Sequence, residues 1–465
     1  MASQPLWTFE DLAAATGGTL TALNETRATY ATGINFDSRA LQSGDIFLAL
    51  KGDRDGHDFV PQAFASGAVI AITRRPVAGG PCLLVPDVQK ALEDMAVFAR
   101  NRATHARRGA VTGSVGKTSV TQMVMEGLRR AGKAHSAVKS FNNHIGVPLT
   151  LARMPADTER AVFEIGMNHA DEITPLSEFV APHAVVITTV GGVHTENFPD
   201  GEAGVARAKA EVFDGLVPGG LAILNADNPW YEMLAQRARA AGALIAAFGG
   251  SGGVDARLVS HVIAGERAEI TARFHGREIA FSLAHTGRHQ AVNAMSVLLM
   301  LEALDVDLET SIDALEAFAA LDGRGKVVVK PFRGGDLTII DESYNANPIS
   351  MTATLESLGA REVGAGRKIA VMTDMLELGA DEAQQHAALA GAITAQDIDK
   401  VYLAGPLMHN LWDALPTKMR GGYAFSAPEL LSVLTEDLRA GDVLMIKGSN
   451  GSRAGLIAKA LLLAD

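Results

Sequence analysis

The residues with the types and spacing to grip a polyphosphate stand at Gly109-Ala-Val-Thr-Gly-Ser-Val-Gly-Lys-Thr118. Gly113 and Gly116 let the backbone curl into a concavity lined by N–H groups, with Ser114 between them as a further cofactor contact. Lys117 can then reach β- and γ-phosphate oxygens, and the Thr118 hydroxyl can hold Mg²⁺ where a helix begins. The ligand this predicts is ATP. The usual pattern G-x-x-x-x-G-K-[ST] would put glycine at Val111, so the loop is a shortened one. Its context supports it: apolar Ala110-Val111 precedes it and a helical pattern follows over 119–130. The plainer alternative is a strand–turn–helix with an incidental lysine.

If Thr118 holds magnesium, further oxygen or imidazole ligands must come from strand ends on the same edge of a sheet. Glu164 closes the apolar strand Ala161-Val-Phe, and His194 sits in a glycine-rich loop after the apolar run 185–190. Each also has a structural reading, a paired buried carboxylate for Glu164 and a surface-loop histidine for His194. Lys209 lies in the helical run 204–213, where the default is a helix-surface lysine. In an ordered interior the same amine could take up CO₂ and become a carbamate, turning a cation into a metal-binding carboxylate.

A further cluster, Asp341-Glu-Ser-Tyr-Asn-Ala-Asn-Pro348, follows a strand and precedes a helix, where α/β sheets place ligand groups. A helix N-cap with proline in the first turn explains Asn347-Pro348. It does not explain Asp341, Tyr344 and Asn345, which read as contacts to ribose hydroxyls and to a base or phosphate. Near the N-terminus, Asp37-Ser38-Arg39 and the polar run 51–59 read first as solvated turns. An anion cradle built from Ser38, Arg39 and Lys51 is the functional alternative.

These residues need a scaffold, and 465 residues imply about three domains. Short strands and helices fill residues 1–86, including a helix capped by Thr8 and a strand over 45–51. Apolar strands alternate with helices over 87–330, with strands near 161–164, 184–188 and 221–224 and a helix over 288–303. An antiparallel hairpin is expected to be inserted at about 256–283, where residues 268–274 alternate in polarity. After a glycine-flanked break at Gly323-Arg324-Gly325-Lys326, residues 331–465 alternate again, with strands near 337–341, 368–372, 400–403 and 443–447. The expected fold is α/β with three domains: a small α/β N-terminal domain, a central ATPase-like parallel-sheet domain with the phosphate loop, and a Rossmann-like C-terminal domain.

A formal net charge of −12 without any block of like charges argues against nucleic acid as a partner. No apolar stretch approaches the ~18 residues that span a bilayer. The single cysteine, Cys82, allows no internal disulfide, and residues 1–10 lack the features of a signal peptide. A cytoplasmic, monomeric protein without membrane insertion is expected.

Taken together, the motifs resemble the Mur ligases, ATP-dependent amide-forming enzymes of peptidoglycan precursor synthesis, over essentially the whole chain. The residues that carry the resemblance are Thr112-Gly-Ser-Val-Gly-Lys-Thr118, Asn142-Asn-His-Ile-Gly-Val-Pro-Leu-Thr150, Glu164-Ile-Gly-Met-Asn168, Ala208-Lys-Ala-Glu-Val-Phe213, Asp341-Glu-Ser-Tyr-Asn-Ala-Asn347 and Asp374-Met-Leu-Glu-Leu-Gly379. The chain looks most like the branch that adds D-alanyl-D-alanine. His144, where an acidic residue is usual, and Val115, where a polar one is, depart from that pattern.

The resemblance implies a UDP-binding first domain, with Ser38, Arg39 and Lys51 as uridine-diphosphate contacts and Asn142 and Asn143 on the substrate side. It implies Lys117 on phosphates, and Thr118, Glu164 and His194 on magnesium. Lys209 would be a carbamylated lysine holding a second magnesium. Asn293, in His289-Gln-Ala-Val-Asn293, would contact adenine, Arg324 and Asp341 would contact the nucleotide, and Lys447 and Ser449 would serve the acceptor dipeptide. The implied substrates are UDP-MurNAc-tripeptide and D-alanyl-D-alanine, joined through an acyl phosphate. Rival readings are a ligase adding a single amino acid and a nucleotide-hydrolysing switch; the chain has no Asn-Lys-x-Asp guanine motif.

Overall fold

The computed structural model describes residues 5–137, 140–193 and 195–463. Three helix-flanked sheets follow one another along the chain, beside a small two-stranded ribbon. The first sheet has five strands in the order Thr19–Thr21, Cys82–Leu84, Ile70–Thr73, Asp45–Leu48, Gly33–Asn35, parallel except for the first pair. Asp45–Leu48 and Ile70–Thr73 are buried on both faces, which is why residues 46–48 and 70–72 read as unbroken apolar runs. Thr8 caps the helix Phe9–Thr16 as expected, its hydroxyl accepting from Asp11 N at 3.0 Å. This unit is not loosely tethered. Trp7 is fully buried and donates from Nε1 to Ala152 O at 2.8 Å, and Leu12 and Leu83 share one core with the helix Val88–Arg102 and with Leu149.

The central sheet has nine strands. Arg107–Thr112 lies between Arg160–Glu164 and Ala184–Ile187, parallel to both, so the chain leaves it to opposite sides and opens a crevice at its C-terminal end. The expected antiparallel hairpin is present, with one strand more. It is three strands, Ala256–Ala264, Arg267–Phe274 and Arg277–Leu283, and they extend this same sheet, the first pairing in parallel with Leu244–Gly249. Residues 268–274 alternate because one face packs on the helices Arg288–Ala303 and Leu308–Ala317 while the other stays open.

The third sheet runs Lys326–Phe332, Gly335–Glu342, Val443–Lys447, Lys368–Thr373, Lys400–Ala404, Arg420–Ala424, antiparallel only in its first pair. Asn347 caps the helix Pro348–Gly359 in a reciprocal box with Ser350, with Pro348 in the first turn, as those residues predict. Among the described residues no helix is long and apolar enough to cross a membrane.

His285, in the loop before Arg288–Ala303, lies flat against Phe318, ring centroids 5.5 Å apart, and among the described residues neither ring nitrogen has a partner. Burial pushes its pKa down to about 4, so the folded chain keeps it neutral while the unfolded chain protonates it below its ordinary value. The unfolded state then binds more protons, and stability present near neutral pH is lost as pH falls toward 4. By about pH 5 this one group costs on the order of 2 kcal/mol. His285→Phe should therefore lower the melting temperature less than the parent between pH 7 and about pH 5; equal slopes would remove His285 as a source of acid sensitivity.

Candidate active site

The phosphate loop forms at the crevice. Val111 is fully buried, the last residue but one of its strand and opposite Glu164 and Val186, so the position where a longer loop would have glycine is here part of the sheet core. The turn starts two residues later. Gly113 has φ +147°, and a Cβ there would overlap Thr188 Oγ1; Gly116 has φ +88° and faces Asn293 Nδ2, before the helix Lys117–Ala131. Ser114 and Thr188 staple the turn, Ser114 Oγ donating to Gly191 O (3.0 Å) and Thr188 Oγ1 to Val115 O (2.6 Å). Lys117 Nζ folds over the loop and donates to Gly113 O at 2.7 Å. Burial holds its pKa below the usual lysine range, partly offset by the Glu164 carboxylate.

Oxygen groups gather beside Lys117. Thr118 Oγ1 and Ser140 Oγ are 3.1 Å apart, and Glu164 Oε1 accepts from Asn142 Nδ2 at 2.7 Å. Glu164 is 3% exposed, yet among the described residues its Oε2 has no partner. A buried carboxylate oxygen without a donor is costly unless a cation meets it, so this hydroxyl–carboxylate set suits a hard divalent ion. Among the described residues no group of three His, Cys, Asp or Glu could by itself hold a metal. His194 lies outside the described residues.

Lys209 corrects the default expectation of a helix-surface lysine: it is 2% exposed, in the helix Glu202–Ala210. Burial pushes its pKa well below the usual value and the neighbouring Lys117 pushes it further, with Glu211 opposing. Helical periodicity alone could not give this, because small residues surround it and the polar face is hidden by other parts of the fold.

The opposite wall comes from the third sheet. Arg324 stacks its guanidinium over the Tyr344 ring at 3.8 Å. Lys447, 3% exposed, donates to Asn345 O at 3.0 Å and pairs with Glu342 at 3.7 Å. Between the walls lies a cleft of about 470 Å³, lined on one side by Lys117, Thr118, Glu164 and Asn293 and on the other by Arg324, Tyr344 and Lys447. That volume suits a nucleotide and part of a second ligand.

Not every expected residue faces the cleft. Asp341 accepts from Gly323 N (3.1 Å) and from Ser343 Oγ (2.6 Å), holding the break between the second and third sheets. Asn143 turns away to accept from Gly146 N (2.9 Å). Ser449 Oγ bridges Leu376 N and Ala346 O behind the wall. Ser38 donates to Gln62 Oε1, Arg39 pairs with Asp37 on the surface, and Lys51 is exposed; all three belong to the first unit, away from the cleft. Ser140 and Glu342 line the cleft and went unremarked in the sequence, the first because it belongs to no motif, the second because Asp341 and Tyr344 beside it drew the reading.

Known proteins bear on this arrangement. The profile described as Mur ligase middle domain matches residues 111–301, Mur ligase, glutamate ligase domain matches 323–450, and Mur ligase family, catalytic domain matches 30–100. The UDP-N-acetylmuramoyl-tripeptide--D-alanyl-D-alanine ligase of Rickettsia prowazekii is 33% identical over 90% of this chain and 92% of its own length. The chain belongs to the Mur ligase family. The ligase of the same description from Escherichia coli is 32% identical over 92% of this chain and 93% of its own. MurF from Acinetobacter baumannii covers both chains completely at a TM-score of 0.88 and 28% identity. MurF ligase from Thermotoga maritima, solved in complex with ADP, shares the Mur ligase fold at a TM-score of 0.77 and 22% identity, over 92% of this chain and 96% of its own.

Proposed function

We propose that this Mur ligase joins the terminal carboxylate of a UDP-N-acetylmuramoyl-tripeptide to the amine of D-alanyl-D-alanine, using ATP. The observation that carries the reading is the two-walled cleft, a phosphate loop facing Lys447, Arg324 and Tyr344 across about 470 Å³, in a chain whose full-length relatives are described as catalysing this ligation. We further propose the division near residues 86 and 330, with the first unit taking the UDP moiety through Ser38, Arg39 and Lys51, and action as a cytoplasmic monomer.

A carboxylate is a poor acyl donor because oxide is a poor leaving group, so it is first phosphorylated. Lys117 and the N–H-lined loop hold the β- and γ-phosphates in line with the incoming carboxylate, and the Lys117 charge offsets what spreads over the transferring phosphoryl group. Magnesium, held by Thr118, Glu164 and His194, with a second ion on carbamylated Lys209, would supply further charge neutralisation when bound. Burial lowers the pKa of the Lys209 amine and so favours the neutral form, whose lone pair would attack CO₂; a C–N bond forms and one proton leaves to solvent. The acceptor amine then displaces phosphate from the acyl phosphate. Arg324, Tyr344 and Lys447 close the far wall, and excluding water there protects an intermediate that would otherwise hydrolyse. Asn293, beside Gly116, would contact the adenine.

Release of ADP and phosphate, followed with each co-substrate omitted in turn, tests this. Turnover should require ATP, the UDP-linked tripeptide and the dipeptide together. Release with ATP alone at the full rate would identify a hydrolase instead.

A further inference from the structure

The acceptor in the reaction just proposed arrives as an ammonium, which cannot attack until it loses a proton. Among the cleft-lining carboxylates, Asp227 is committed to Gly250 N, Ser251 N and Ser251 Oγ. Glu164 holds Asn142 and turns its second oxygen into the cation cradle. Glu356 is exposed on a helix. His289 also lines the cleft, but burial pushes it down to about 3, too weak a base.

Glu342 differs from all of these. It ends the strand Gly335–Glu342 on the cleft edge, beside Lys447 in the parallel register, and its side chain is 12% exposed. Lys447 comes only to 3.7 Å and directs its closer hydrogen bond, at 3.0 Å, to Asn345 O. Among the described residues nothing else donates to the Glu342 carboxylate, so its lone pairs stay available to a cationic donor in the cleft. The charged groups around it are Lys447, Arg324 and Asp341, with neutral His285 across the small cavity behind it. Burial raises its pKa, which makes it a better proton acceptor than a solvated carboxylate.

We propose that Glu342 is the catalytic base that frees the acceptor amine. The ammonium gives one proton to the Glu342 carboxylate. The nitrogen lone pair forms the C–N bond at the acyl carbon, the bond from that carbon to the phosphate oxygen breaks, and phosphate leaves with its electron pair, taking the second amine proton. Glu342 returns its proton to solvent as the product departs. This rests on the ligase reading above, and the test separates the two.

Hydroxylamine is largely unprotonated at neutral pH and needs no base to attack an acyl phosphate. The full chain, with ATP, magnesium and the UDP-linked tripeptide, is given dipeptide and hydroxylamine in one tube, and the ratio of amide to hydroxamate is read. That ratio does not depend on how much of a preparation folds. In Glu342→Gln it should fall roughly 100-fold, and in Glu342→Asp, which keeps a carboxylate, by less. As a second reading, ligation by Glu342→Gln should climb with pH in proportion to the free amine of the dipeptide, whereas the parent levels off. An unchanged ratio, or parallel pH profiles, would overturn the role of Glu342 and leave it as the ion-pair partner of Lys447. A parent that forms neither product would instead overturn the ligase reading, and this role with it.

Discussion

Lys117→Ala should abolish ligation, with a loss of roughly 1,000-fold or more in turnover, while the melting temperature stays near that of the parent. The two outcomes separate because of where the amine sits. Its one hydrogen bond, to Gly113 O, lies within the loop itself, and the desolvated ammonium contributes little to folding. On the proposed function it would set a fixed positive charge beside the transferring γ-phosphoryl group in a water-poor cleft, where charge interactions are strong. Lys117→Arg should recover little, since a planar fork cannot follow the path of a lysine stem through the turn between Gly113 and the helix start. Steady-state ADP release with all substrates present is the measurement, with the thermal transition as control. Turnover close to the parent's would remove Lys117 and its loop from the chemistry.

Lys209→Ala should lower turnover roughly 100-fold, and short carboxylic acids should restore part of it. The alanine leaves a space in a buried helix face near Lys117, and a small carboxylate could supply there the charge that the proposed carbamate would carry. Acid should act in the same direction in the parent: only the neutral amine takes up CO₂, and protonation removes it. A second readout is independent of turnover: ¹³C-labelled bicarbonate should give a carbamate signal in the parent and none in Lys209→Ala. Normal activity in the variant without rescue would refute the carbamate.

The loop, the three-sheet α/β architecture and the strand ends that carry Glu164 and Asp341 were legible in the order of residues. Each is local: a glycine turn before Lys117, apolar runs of strand length, an N-cap at Asn347. The absence of glycine at position 111 was visible too, but its cause, a fully buried side chain in mid-sheet, was not.

What tertiary structure alone decided is which polar groups meet and which are taken from water. Lys209 reads as a surface lysine in its own helix and becomes buried only when the rest of the unit packs over it. Glu342 and Lys447, about a hundred residues apart in sequence, become neighbours because Val443–Lys447 inserts between Gly335–Glu342 and Lys368–Thr373. Asn143 and Asp341 carry the right chemistry for ligands but spend their acceptors on backbone N–H groups. The phosphate loop was readable because a short segment builds it. The pairing of its lysine with an opposite wall was not, since that depends on the burial and register of strands distant in sequence.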